Sequence, residues 1–248
     1  MRGSIEPNAA LTVRGLQKRF GGIAAVDGCD LDVCPAEIVG LVGPNGSGKS
    51  TIFNLITGVL RPDAGSVLYR GVDLLRHRPH EIARLGVART FQEAKIFREL
   101  TLEENLAVAA RGAGLAQWRE TGLDLLARME ISHLADQPGD ALSIGQQRLL
   151  EIAMRLLVDP PLMLLDEPLA GVHPVTRGRI AEIIRAQRDR GRSILLIEHD
   201  IRFVMDICDR VLVMDHGVKI AEGPPSLVRS DPKVVSALLG SSRRKGAG

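Results

Sequence analysis

The run Gly43-Pro44-Asn45-Gly46-Ser47-Gly48-Lys49-Ser50-Thr51 satisfies the pattern GxxxxGK[ST] in full. Each residue type meets a physical need. Glycines let the backbone curl until its N–H groups face phosphate oxygens. A helix starting at the end of the run adds its positive end. Lys49 has the reach for β- and γ-phosphates, and the Ser50 hydroxyl suits a Mg²⁺ ion. A short apolar run precedes the motif and a helical pattern follows it. That context points to a site for a nucleoside triphosphate and its metal, rather than a chance glycine-rich turn.

Such a site needs a metal carboxylate at a neighbouring strand end. The run Leu162-Met163-Leu164-Leu165-Asp166-Glu167 ends in two acidic residues. Asp166 suits Mg²⁺, held through water. Glu167 is either a solvated strand-end charge or the group that takes a proton from an attacking water. Two carboxylates beside a triphosphate repel one another, which argues for a use. His199, closing the next apolar run, is either structural or placed to sense the γ-phosphate. Phe20 is either a core side chain or a platform for adenine. No NKxD-type guanine motif occurs.

A second stretch, Ser143-Ile144-Gly145-Gln146, opens a further helix. Ser143 and Gln146 have the spacing of a capping box. Gly145 does not follow from capping, since glycine in a first turn costs about 1 kcal/mol relative to alanine. A glycine there implies that something approaches the backbone, and an anion at the helix's positive end would fit. The chain's own phosphate loop already encloses one triphosphate. A second copy, or a homologue, would therefore bring the anion.

Elements must position these groups. Residues 37–43, 161–167 and 193–199 read as buried parallel strands with function at their C-terminal ends, and 50–60 as a helix. RVLVMDHG and KIAEG read as a terminal hairpin. ALTVRGLQ, CDLDVCP and SVLYRGVDL predict a small antiparallel layer near the N-terminus. From about Glu93 to Leu157 the pattern is helical, beginning with a Thr101–Glu104 capping box and with Leu102, Leu106 and Ala109 on one face. The expectation is an α/β fold: a P-loop NTPase core with a mostly parallel sheet, a small N-terminal antiparallel β layer and an inserted α-helical subdomain. The chain forms one domain over 1–248. Residues 10–92 and 158–240 make the core and β layer, 93–157 the helical subdomain, and 241–248 a disordered tail.

Composition narrows the setting. With 248 residues and 45% hydrophobic content, a sizeable core is available. A net charge of +2 argues against nucleic acid as a partner. Three cysteines without a CxxC pair read as small apolar residues in a reducing compartment. The opening MRGSIEPNAALTV lacks a signal-peptide core, and no run is long enough to span a bilayer. If the protein works at a membrane, other chains must do the spanning.

The ordered set GPNGSGKST, Phe91-Gln92, LSIGQQ, LMLLDEP and IEHD resembles the ATP-binding cassette (ABC) ATPases across nearly the whole chain. The resemblance implies ATP and Mg²⁺ as cofactors and a head-to-tail dimer, homo- or heterodimeric, with two ATPs sandwiched between the Walker A loop of one subunit and the signature helix of the other. Ser143, Gly145 and Gln146 would then contact the partner's γ-phosphate. Gln92 would join the Mg²⁺ and water site and relay its state to the helical block. Asp166, Glu167 and His199 would take the metal, base and γ-phosphate roles, and Phe20 would stack on adenine. Two positions depart from the pattern. Ile144 stands where the usual LSGGQ has glycine, and His173 stands after Walker B where Asp or Asn is commoner.

RTFQEAKIFRELTLEENLAVAA and AEGPPSLVRSDPKVVSALLG are similar to the ATPases of branched-chain amino-acid importers. Urea and amide importers and, at greater distance, lipopolysaccharide-export ATPases are alternatives. Partners implied are a second ATPase subunit, membrane permease subunits and, indirectly, a substrate-binding protein, with the chain peripheral on the cytoplasmic face of the membrane. Three rivals are disfavoured. Repair and translation cassettes need a long coiled coil or a second cassette, and a small-molecule kinase leaves LSIGQQ unexplained. A degenerate cassette would not keep Lys49, Asp166, Glu167 and His199.

Overall fold

The structure, a computed structural model, describes residues 9–243. Residues 1–8, with most of the opening segment read for a signal peptide, lie outside the described residues, as do 244–248 of the expected tail.

Strands β1 (Leu11–Phe20) and β2 (Ile23–Val33) open the chain, followed by β3 (Ile38–Val42) and helix α1 (Lys49–Ile56). Next come β4 (Ala64–Tyr69), β5 (Val72–Asp73), α2 (Pro79–Arg84) and β6 (Val87–Arg89). Helices α3 (Leu102–Gly112), α4 (Arg119–Arg128) and α5 (Ile144–Leu157) form the inserted block. The chain returns through β7 (Leu162–Asp166), α6 (Pro174–Asp189), β8 (Ser193–Ile197) and α7 (Ile201–Ile207). It finishes with β9 (Arg210–Asp215), β10 (Val218–Gly223), α8 (Pro225–Ser230) and α9 (Pro232–Arg243). Residues 241–243, expected in a disordered tail, thus continue a helix.

The main sheet runs β10-β9-β3-β8-β7-β6. Its pairs are parallel except the β9–β10 hairpin. The second sheet, β2-β1-β4-β5, is antiparallel.

The continuous apolar runs are explained by two cores, one on each face of the main sheet. Ile38, Val42, Met163, Leu165, Ile194 and Leu196 face the core shared with α5, α6 and α7. Val39, Leu41, Leu162, Leu164, Leu195 and Ile197 face the core shared with α1 and the antiparallel sheet. Alternate residues of each strand are buried on opposite sides, so no polar alternation survives. Each such side chain contributes about 1.5–3 kcal/mol of burial. At Gly40 a Cβ would fall 2.7 Å from Val204 Cγ1, so α7 packs directly on β3.

The helical pattern expected from Glu93 begins only at Leu102. Residues 90–101 are irregular apart from one bridge, because their backbone groups are claimed by side chains. Asn105, fully buried, accepts from Phe97 N at 2.8 Å and donates to the carbonyls of Phe97, Leu100 and Thr101 at 2.9–3.1 Å. The Thr101–Glu104 capping box is formed in both directions.

Candidate active site

The β3–α1 loop is held from both sides. Gly43 has φ 152°, and a Cβ there would sit 2.1 Å from the Met214 carbonyl of β9. Gly48, φ 102°, would meet the Ala25 carbonyl of β2 at 2.3 Å. The Ser47 carbonyl accepts from Gly217 N at 3.1 Å. No residue with a side chain fits at either glycine, so the curl is imposed by backbone approach. Lys49 is 5% exposed and donates to the carbonyls of Gly43 and Pro44 at 2.8 and 2.9 Å. Burial lowers the pKa of its ammonium, while Glu167 and Asp166 pull it back up.

Asp166 ends β7 and is 2% exposed. Its Oδ2 accepts from Arg89 Nη2 at 3.1 Å, and Thr90 Oγ1 accepts from its amide at 2.9 Å. Burial pushes the carboxyl up; Arg89 opposes this, and Glu167 adds to it. Its Oδ1 is buried without a hydrogen-bond partner. An orphaned carboxylate oxygen here fits a hydrated divalent cation. The exposed hydroxyl-bearing residue Ser50 and the exposed Gln92 both line the cleft. Among the described residues, no cluster of three or more His, Cys, Asp and Glu makes a cage, so phosphate and water would complete the shell.

Glu167 sits at φ 49°, a conformation that costs a non-glycine residue about 1–2 kcal/mol. Its amide donates to Ile197 O at 2.9 Å, locking the strained turn to β8. Its Oε1 lies 2.9 Å from His199 Nε2. The Glu167 carboxylate is thus held against the ring of His199 rather than free in solvent.

Phe20 is 49% exposed, with Lys18 Nζ 5.7 Å from its ring centre, so the core reading of Phe20 does not hold. One cavity of about 1740 Å³ is lined by Phe20, the whole 43–51 loop, Gln92, Glu167 and His199. Ser143, Gly145 and Gln146 are not among its lining residues.

At the start of α5, the Ser143–Gln146 capping box is formed, with Ser143 N donating to Gln146 Oε1 at 2.9 Å. The close approach expected at Gly145 is present, and it comes from within this chain. A Cβ at Gly145 would lie 2.5 Å from the Gly171 carbonyl, so this chain's own loop after β7 demands the glycine. Ile144 is 73% exposed, and its Cγ2 lies 2.7 Å from where a Cβ on Gly171 would stand. It packs on that glycine while still presenting an apolar face outward. His173 N-caps α6, its Nδ1 accepting from Val175 N at 3.4 Å, so it fills a capping place that Asp or Asn also fills well.

Sequence reasoning missed Glu198, Arg89 and the pair Arg148–Glu151. Glu198 is 4% exposed and accepts from Leu169 N at 2.8 Å and His199 N at 3.0 Å. It ties the loop after β7 to the residue that reaches Glu167. Burial pushes its carboxyl up, and the backbone donors restrain the shift. The signal was present as a charge at the end of an apolar run. The Arg89 guanidinium stacks 5.5 and 5.0 Å from the Phe53 and Phe91 ring centres, a contact no spacing rule reveals.

A family profile described as "ABC transporter" matches residues 26–170. The chain is 40% identical to the high-affinity branched-chain amino acid transport ATP-binding protein LivG of Escherichia coli K12, over 94% of this chain and 98% of that one. It is also 40% identical to the lipopolysaccharide export system ATP-binding protein LptB of Haemophilus influenzae, over 93% of this chain and 97% of the relative. Among solved structures, the ADP conformation of an ATP-binding cassette of an ABC transporter superposes with a TM-score of 0.82 at 33% identity, covering 94% of this chain and 99% of that one.

Proposed function

Because the chain belongs to the ABC transporter ATPases, and so hydrolyses ATP as the motor subunit of a transporter, we propose that it powers import of an amino acid, branched-chain in preference to other cargo. The observation that carries the ATPase reading is the convergence of Lys49, Glu167, His199 and Gln92 on one cleft. The likeness to LivG supports the cargo. The likeness to LptB keeps lipid export as the second reading.

In this reading Lys49 leaves its own loop carbonyls for the β- and γ-phosphates, and the loop amides take the oxygens. Ser50, Gln92 and Asp166 would hold Mg²⁺, which would supply positive charge to the phosphates. Glu167 takes the proton of the attacking water, oriented by His199 against the γ-phosphate. Phe20 receives the adenine face. Ser143, Gly145 and Gln146 meet the ATP of a second cassette, with the same chain or a homologue as partner. Closure of the pair drives a membrane permease, supplied with cargo by a binding protein, and hydrolysis reopens it. Among the described residues no helix is long and apolar enough to cross a membrane, which fits a separate permease.

The test is uptake of labelled leucine in cells deleted for this chain. Restoration by the wild type and none by Lys49→Ala is expected. Uptake unchanged by the deletion would contradict the cargo.

A further inference from the structure

Helix α5 carries two buried charges whose bonds run to one loop. Glu151 is fully buried and Arg148 is 2% exposed, and Arg148 Nη1 donates to Glu151 Oε2 at 2.7 Å. The pair's other bonds go to backbone. Arg148 donates to the carbonyls of Phe91 and Gln92, and Glu151 Oε1 accepts from Phe91 N and Lys95 N, both at 3.2 Å. Four backbone groups of an irregular five-residue stretch, 91–95, are thus gripped by one ion pair. A buried ion pair is a poor way to gain stability, since well-packed apolar residues do as well or better. What it supplies is a directional hold on backbone that has no helix or sheet partners of its own.

That stretch contains Gln92, whose exposed side chain lines the nucleotide cleft. One turn earlier on the same helix, Gly145 and Ile144 seat the helix start on Gly171, and Ser143 faces solvent. Resting on the ATPase reading above, we propose that Arg148 and Glu151 are positioning residues that hold Gln92 at the metal and water site.

The test uses the full-length chain with Glu151→Gln, Gln92→Ala and their combination, measuring phosphate release from Mg·ATP, ATP affinity and the Mg²⁺ concentration for half-maximal rate. Each single variant is expected to lower the rate about tenfold and to raise the Mg²⁺ requirement severalfold, with ATP affinity within about twofold, and the double variant to be no slower than the slower single one. Losses that multiply in the double variant would overturn the proposal, as would an unchanged Mg²⁺ requirement. Arg148→Lys carries the same cycle should Glu151→Gln fold poorly. Amide exchange at Phe91 and Lys95 judges the clamp without activity: it should quicken about tenfold in Glu151→Gln while core strands stay protected, and unchanged exchange at both amides overturns it. A wild-type chain that releases no phosphate would contradict the ATPase reading instead.

Discussion

Glu167 Oε1 and His199 Nε2 lie 2.9 Å apart across the ends of the neighbouring parallel strands β7 and β8. The contact is prepared by backbone. Glu167 is fixed to Ile197 O at φ 49°, and His199 N is fixed to Glu198. A carboxylate held beside an imidazole, in a cleft that also holds Lys49, is the arrangement a water-activating base requires. Glu167→Gln should therefore bind Mg·ATP with affinity within about threefold of wild type and lose about 10²–10⁴ in turnover. Single-turnover phosphate release checks this, and near-normal hydrolysis would remove Glu167 from the role.

Lys49 donates to two loop carbonyls that ATP phosphates would replace as partners. Charge-assisted hydrogen bonds contribute about 1.5–3 kcal/mol each, so Lys49→Ala should weaken ATP binding at least about tenfold. Calorimetric titration reads the effect directly. Unchanged affinity would mean that Lys49 stays with its own loop.

Gly145 presses on the Gly171 carbonyl, with 2.5 Å for any added Cβ. Gly145→Ala should cost about 1–3 kcal/mol through overpacking and push α5 off the loop after β7. Thermal unfolding should fall, while ATP binding to the isolated subunit stays intact because Gly145 does not line the cleft. An unaltered melting temperature would show that the contact gives way freely.

Glu198 yields a pH prediction. Burial holds its folded pKa above the ordinary 4.5, so its neutral form is favoured in the native state. Its contribution to stability is full below the unfolded pKa and is lost as pH rises through the folded one. Glu198→Gln cannot titrate. The stability of the variant relative to wild type should therefore improve as pH rises from the ordinary 4.5. Parallel melting curves across that rise, with a constant difference, would contradict this.

Local features were legible because they rest on neighbours in sequence. The capping boxes at Thr101 and Ser143, the buried strands at 38–42 and 162–166, and the β9–β10 hairpin follow from period, spacing and turn residues. What stayed hidden depends on contacts far along the chain. A close approach to Gly145 was legible, but not that the Gly171 carbonyl makes it. The stretch from Glu93 to Thr101 looked helical because Glu151, which claims the Phe91 and Lys95 amides, lies far along the chain, and because the apolar period does not register the Asn105 side chain's bonds to Phe97, Leu100 and Thr101. Phe20 was ambiguous until its half-exposed ring was placed on the cleft.

In the proposed function two cassettes share ATP, with α5 as the second half of each site. The most direct test is the mass of Glu167→Gln by light scattering with no nucleotide, with Mg·ADP and with Mg·ATP. A dimer is expected with Mg·ATP alone, formed by this chain or, on mixing, with a homologous partner. A monomer in all three states, both alone and mixed with that partner, despite intact ATP binding and unchanged by Ile144→Gly, would contradict it.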